Sequence, residues 1–150
     1  MQAPKRIVVT TDFSETSKAA FSLARQIAEK FDAELTLLHV VEVQLPPLVL
    51  EPGGIGIDEL EKQCTLRAGE RLKAFAAELG DDVQTQAISG TAHVEVVRFA
   101  EDHDIDLIVM ATHGRGFCSH AILGSTTERV VRRAHCPVLT VRDLEAGKKK

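Results

Sequence analysis

Leu107-Ile-Val-Met-Ala-Thr-His-Gly-Arg-Gly-Phe-Cys-Ser-His-Ala-Ile-Leu-Gly-Ser-Thr-Thr-Glu128 reads as an apolar strand, a loop punctuated by Gly114, Gly116 and Gly124, and a run of hydroxyl residues that opens a helix. That order suits an anion. Glycines let backbone N–H groups approach a ligand without a Cβ in the way, and a helix start offers unpaired donors carrying roughly half a positive charge. Ser125, Thr126 and Thr127 follow Gly124 directly, so three hydroxyls stand ready either to bond phosphate oxygens or to cap the helix. The segment is expected to grip the phosphates of a nucleotide. No lysine follows the glycines as in a P-loop, so a lysine-to-phosphate contact of that kind is not expected.

Outward from this segment, strands and helices alternate along the chain. Strands are expected at 6–10, 34–41, 83–88, 107–111 and 138–141. Helices are expected to about Phe31 and over 58–79, 93–102 and 125–134. In the first helix Ala20, Leu23, Ala24, Ile27, Ala28 and Phe31 recur at three and four, which places one face on a sheet. Asp12 with Glu15 three residues on reads as an N-cap and its reciprocal partner. In the second helix Leu60, Cys64, Ala68, Leu72, Phe75 and Leu79 face inward, and Gly80 ends it. Residues 44–56 carry Pro46, Pro47, Pro52, Gly53, Gly54 and Gly56 and read as a long loop, a candidate lid. Alternation of this kind implies a parallel sheet with helices on both faces, and runs such as Ile7-Val-Val and Leu107-Ile-Val-Met fit strands buried on both sides.

Three stretches in order, Arg6-Ile-Val-Val-Thr-Thr-Asp-Phe-Ser, Leu38-His-Val-Val and His135-Cys-Pro-Val-Leu-Thr-Val, together with the glycine segment, resemble the universal stress protein family in its ATP-binding subclass. The motif of that subclass is Gly, two residues, Gly, nine residues, Gly, then Ser or Thr. Gly114 and Gly124 match its second and third glycines and Ser125 its hydroxyl, while Ala111 stands in place of the first. The resemblance implies a single doubly wound, Rossmann-like α/β domain over residues 1–142 with strand order 3-2-1-4-5, followed by a polar tail at 143–150. It also implies ATP as the ligand, with AMP and ADP as alternatives and magnesium or manganese as accompanying ion. Asp12 then meets the ribose, the backbone of Val40 meets the adenine edge, and Met110 and Ala111 line the pocket. His113, Gly114, Arg115, Gly124, Ser125, Thr126 and Thr127 lie at the phosphates. Asp12 as a helix cap, and Val40 and Met110 as plain core residues, remain open beside these roles. His39, His93 and His103 read as structural or surface residues.

Composition narrows the class further. A chain of 150 residues with 44% hydrophobic residues fits one globular domain. No apolar run approaches a membrane span and Met1-Gln-Ala-Pro-Lys-Arg lacks a signal-peptide core, so no membrane association and a cytoplasmic location are expected. Net charge is −4 and the dense basic run is Lys148, Lys149 and Lys150, which argues against a nucleic-acid surface. Cys64, Cys118 and Cys136 lack C-x-x-C spacing and read as reduced thiols. Pairing of Cys118 with His120, or of His135 with Cys136, does not match zinc spacing.

These readings favour a stress-response regulator whose nucleotide state alters dimer geometry or binding of a protein partner not legible in the sequence. Two alternatives stand beside it: a weak ATP hydrolase or phosphoryl- or adenylyl-transfer enzyme, and a nucleotide-free interaction module. No nucleophile with base and charge clamp is visible, so no catalytic residue is assigned. Val138, Leu139, Thr140 and Val141 form an edge strand in the family order, without lysine or a further proline, and are expected to pair in a homodimer.

Overall fold

The computed structural model describes residues 3–43, 56–112 and 123–143. Five strands form one parallel sheet: β1 (Arg6–Thr10), β2 (Glu34–Val41), β3 (Gln84–Ser89), β4 (Leu107–Ala111) and β5 (Val138–Val141), in the order β3-β2-β1-β4-β5. Four helices connect them: α1 (Ala19–Phe31), α2 (Ile57–Ala76), α3 (Ala92–Asp102) and α4 (Ser125–Arg133). The doubly wound order expected from the resemblance is the order observed.

Side-chain alternation along the strands divides the interior into two layers. Ile7 and Val9 of β1, Leu35 and Leu37 of β2 and Val109 of β4 pack with Phe21, Ala24 and Ala28 of α1 and Ala68, Leu72 and Ala76 of α2. Val8, Leu38, Ile108 and Met110 point the other way, against Val96, Phe99 and Ala100 of α3 and Val130 of α4. Successive residues of a strand face opposite sides, so a stretch covered on both must be apolar throughout, as Ile7–Val9 of β1 and Leu107–Ala111 of β4 are. Burying each large side chain of this kind contributes about 1.5–3 kcal/mol.

Several local expectations need correction. The buried face of α1 is Ala20, Phe21, Ala24 and Ala28, whereas Leu23 and Phe31 are each 37% exposed. Leu72, Ala68 and Leu79 are buried as expected, but α2 ends at Ala76 and the chain turns before Gly80, whose φ of +135° a side chain rarely adopts. β3 begins at Gln84 because Val83 is still in the turn, its N–H directed at Gly80 O at 3.4 Å. α3 starts one residue earlier than expected and α4 ends one earlier.

Asp12 and Glu15 do not form a capping box. A short 3-10 turn, Thr16–Lys18, precedes α1, and Glu15 at its N-cap makes no side-chain capping bond. Glu15 pairs instead with Lys18 at 3.1 Å. The turn is finished by Ser14, whose hydroxyl accepts the Ser17 N–H at 3.1 Å, while Asp12 Oδ1 accepts from the N–H and the hydroxyl of Ser14. The carboxylate therefore builds the loop and does not cap the helix.

Candidate functional site

The chain runs β1 to β2 to β3 in one direction across the sheet and then returns to place β4 on the other side of β1. Parallel sheets bind ligands beyond the strand C-terminal ends at such a reversal, where the connecting loops part. A crevice of about 730 Å³ opens there. Its walls come from the ends of β1 (Thr10, Thr11, Asp12), β2 (Leu38, His39, Val40, Val41, Glu42) and β4 (Met110, Ala111), and from the starts of α3 (Ala92) and α4 (Gly124, Ser125, Thr126, Thr127). Asp12, Val40, Met110, Ala111, Gly124, Ser125, Thr126 and Thr127, chosen from separate parts of the sequence, are thus brought together. His113, Gly114 and Arg115 lie outside the described residues, as do most of the 44–56 loop, Cys118 and His120.

On the β1 side the loop polar groups satisfy one another. Ser17 Oγ donates to Ser14 O at 2.7 Å, so its 2.8 Å contact with Thr11 Oγ1 is one in which Thr11 donates. Thr11 Oγ1 in turn accepts the Phe13 N–H at 3.0 Å. Thr11 and Ser17 are buried, and this closed chain of bonds keeps them from being orphaned polar groups. Asp12, half-buried, is carried on this scaffold at the crevice wall.

The β4 side is built differently. Thr112 N–H bonds Val141 O at 2.8 Å, and Thr112 O accepts the Gly124 N–H at 2.6 Å, so the connection from β4 to α4 is closed at its two ends. Gly124 is the N-cap of α4 with φ −63° and ψ 154°, a conformation open to any residue, and it supplies no side-chain cap of its own. The glycine is therefore not demanded by the backbone. Its effect is that the N-cap position itself adds no side chain to the crevice wall. Ser125 is exposed and Thr126 half-buried. Thr127 differs from them: it is 5% exposed and its hydroxyl donates to Ala111 O at 3.0 Å, tying the helix to the end of β4. Of the three hydroxyls expected to meet phosphate, this one has its proton committed within the protein.

Met110 is only 4% exposed and belongs to the α3–α4 layer while also lining the crevice, so its core and wall roles coexist. His39 and Glu42 were not expected among the site residues. His39 Nδ1 lies 2.8 Å from Thr11 O, and Glu42 Oε1 accepts the Ala92 N–H at 2.7 Å, closing the first turn of α3 with a carboxylate. Close by on α3, burial and then the charges of Arg129 and Arg133 hold the His93 imidazole below its ordinary pKa. Among the described residues no cluster of three His, Cys, Asp or Glu side chains is arranged to hold a metal ion, and no helix is long and apolar enough to cross a membrane.

The fold and the crevice define a doubly wound α/β protein with a switch-point pocket flanked by two helix N-termini. The chain belongs to the universal stress protein family, whose family model matches residues 4–142. It is 40% identical over 139 residues to universal stress protein MJ0531 of Methanocaldococcus jannaschii, covering 92% of this chain and 82% of that one. Protein MJ0577 of the same organism is 31% identical over 92% of this chain and 94% of its own. The solved structure of MJ0577 superposes with a TM-score of 0.81, covering 95% of this chain and 98% of that chain. A universal stress protein solved in complex with cAMP superposes with a TM-score of 0.61 at 26% identity, covering 94% of this chain and 98% of that one.

Proposed function

We propose that the crevice binds ATP, with AMP or ADP as exchangeable ligands, and that this nucleotide state regulates the association of the protein with itself or a partner. The observation that carries the reading is the N-terminus of α4, whose first amides meet no side-chain acceptor among the described residues, lining the same crevice as Asp12. Phosphates seated on the amides of Ser125, Thr126 and Thr127 complement the helix dipole, and the ribose hydroxyls donate to the Asp12 carboxylate. The adenine edge meets the backbone of Val40, with Met110 and Ala111 beneath. His113, Gly114 and Arg115 extend the phosphate cradle, as the family motif implies. The relative solved with cAMP supports an adenine nucleotide as the ligand class.

Native mass spectrometry of the purified protein and titration calorimetry with ATP test this. A retained adenine nucleotide, or ATP binding in the micromolar range, is the expected result, and the absence of both refutes it. Titrations with magnesium, with manganese and with neither read the divalent requirement. A regulator releases phosphate from ATP no faster than its Gly124→Asp variant. A metal-dependent rate lost in that variant would make the protein an ATP hydrolase instead.

Homodimerisation through β5 is the second part of the proposal. Val138–Val141 lies at the sheet edge beside β4, and all four residues are half-buried in the single chain, leaving apolar surface and ladder groups at the margin. Pairing of two β5 strands about a twofold axis satisfies those groups. Thr140→Pro removes one N–H and obstructs the ladder. Light scattering is expected to give a dimer for the parent and a shift toward monomer for the variant. A parent that is monomeric, or a variant dimer as tight as the parent, places the interface elsewhere.

A further inference from the structure

We propose that His39 is the positioning residue for Asp12, gripping the chain on both sides of that carboxylate from the neighbouring strand; the ligand-binding half of this inference rests on the nucleotide reading above. His39 follows Leu38 on β2, and the two residues act on one target. Leu38 O accepts the Thr11 N–H at 3.0 Å, and His39 Nδ1 lies 2.8 Å from Thr11 O. A carbonyl only accepts, so Nδ1 carries the proton and the tautomer is set by the fold.

On the far side of Asp12, the Phe13 ring lies 4.1 Å from the His39 ring, tilted by 38°. Phe13 has a φ of +65°, in the left-handed region that a bulky side chain enters only when its surroundings enforce it. Its N–H bonds Thr11 Oγ1 at 3.0 Å, and its ring meets Phe75 edge-on at 5.1 Å. The Arg71 guanidinium stands 4.5 Å from the ring centre. His39 supplies the β2 wall of this cage. The chain reversal at Phe13 fixes where Asp12 enters the crevice, so a histidine that holds Thr11 by a hydrogen bond and Phe13 by ring contact fixes the carboxylate between them.

His39 lines the crevice as well, so a positioning role must be separated from direct contact with ligand. Two variants and two nucleotides do this. His39→Phe keeps a ring against Phe13 but removes the Nδ1 donor; His39→Asn restores a donor near the same place without the full ring. The nucleotides are ATP and 2′,3′-dideoxy-ATP, which lacks the hydroxyls that Asp12 accepts. The parent is expected to prefer ATP by about tenfold, the scale of one or two charge-assisted hydrogen bonds. His39→Phe is expected to lose most of that preference while binding the dideoxy nucleotide within about twofold of the parent, and His39→Asn to recover part of the preference. Equal loss for both nucleotides, or an unchanged preference in His39→Phe, overturns the proposal. A parent that binds both equally removes Asp12 from the ribose and overturns it too. Amide hydrogen exchange on the ligand-free protein stands apart from the nucleotide reading. The Phe13 amide is expected to exchange at least about tenfold faster in His39→Phe, with β2 amides unchanged, because a released loop opens locally. Exchange as slow as the parent overturns the positioning role even where ATP binds.

Discussion

Two helices begin at the rim of the same crevice and are finished in opposite ways. At α3, Glu42 reaches across from the end of β2 and accepts the Ala92 N–H at 2.7 Å, so the positive end of that helix is met by a carboxylate of the protein itself. At α4 the N-cap is Gly124, and among the described residues no side chain accepts from the first amides. Both helix starts could in principle receive an anion, since each presents unpaired N–H groups and a partial positive charge. Among the described residues, the α4 start alone lacks a carboxylate partner. On the nucleotide reading proposed above, the difference would give the crevice a polarity: an incoming phosphate would be repelled from the α3 end by Glu42 and accepted at α4, which would orient a nucleotide without any lysine from the described walls.

The largest effect is expected from giving α4 the finish of α3. Gly124→Asp places a carboxylate at an N-cap whose φ and ψ suit any residue, and aspartate is among the preferred N-caps. The fold should therefore survive with an unchanged or slightly raised Tm, while ATP affinity falls by about a hundredfold or more, since phosphate loses the amides and meets a like charge at close range. Calorimetry and a thermal melt on one sample check both halves. ATP affinity equal to the parent in a folded Gly124→Asp protein would remove α4 from the site.

The reverse exchange gives α3 the finish of α4. Glu42→Ala opens the first turn of α3 and removes a capping hydrogen bond, at a cost of about 1 kcal/mol, or a Tm lower by about 2–4 °C. With the repelling carboxylate gone, inorganic phosphate should compete with ATP more effectively, lowering the apparent ATP affinity by a few-fold at about 10 mM phosphate where the parent shows less change. Identical phosphate competition in parent and variant would show that Glu42 closes α3 structurally and does nothing for ligand orientation.

The contrast between the two helix starts also marks the limit of what could be read from the chain. β1, β2, β4 and β5 were legible to the residue because each is built mainly of apolar residues, whereas β3, Gln-Thr-Gln-Ala-Ile-Ser, alternates with polar residues and was displaced by one. The helical period found the right face of α2 but set the α1 stripe too wide, including Leu23 and Phe31 and passing over Phe21. Gly124 and the hydroxyls after it were visible because the pattern is local. Glu42 was not, since its partner Ala92 lies 50 residues away and nothing in the sequence near either residue announces the pairing. His39 was read as structural or surface for the same reason; its bond to Thr11 spans 28 residues. Asp12 shows the converse, a local signal that fitted a helix cap and was used in a turn, because the 3-10 start at Thr16 put Ser14 where the cap is needed.

The smallest effect expected concerns a third carboxylate, at the opposite end of the sheet, which serves as the control for Glu42. Asp106, just before β4, accepts the N–H groups of Lys5 and Arg6 with Oδ2 at 2.8 and 2.9 Å. These two backbone bonds hold its pKa below the ordinary carboxylate value, with the Arg6 charge adding a minor contribution. The folded pKa is depressed, so the stabilisation is fully present above the unfolded value of about 3.9 and is lost as pH falls through the lower folded value. Asp106 is exposed, and solvent screening keeps the effect small. Asp106→Asn should therefore lower Tm by about 2 °C or less at pH 7. The gap should close as the pH is brought below the folded pKa of Asp106, because the parent carboxyl is then neutral as well. ATP affinity should stay within about twofold of the parent, since this carboxylate binds strand starts and faces no part of the crevice. A gap that persists undiminished in acid would assign the Asp106 contribution to the shape of the hydrogen bonds and not to charge. A loss of ATP affinity as large as that in Glu42→Ala would show that the Glu42 effect is a general response to lost stability, and the polarity of the crevice would then need another source.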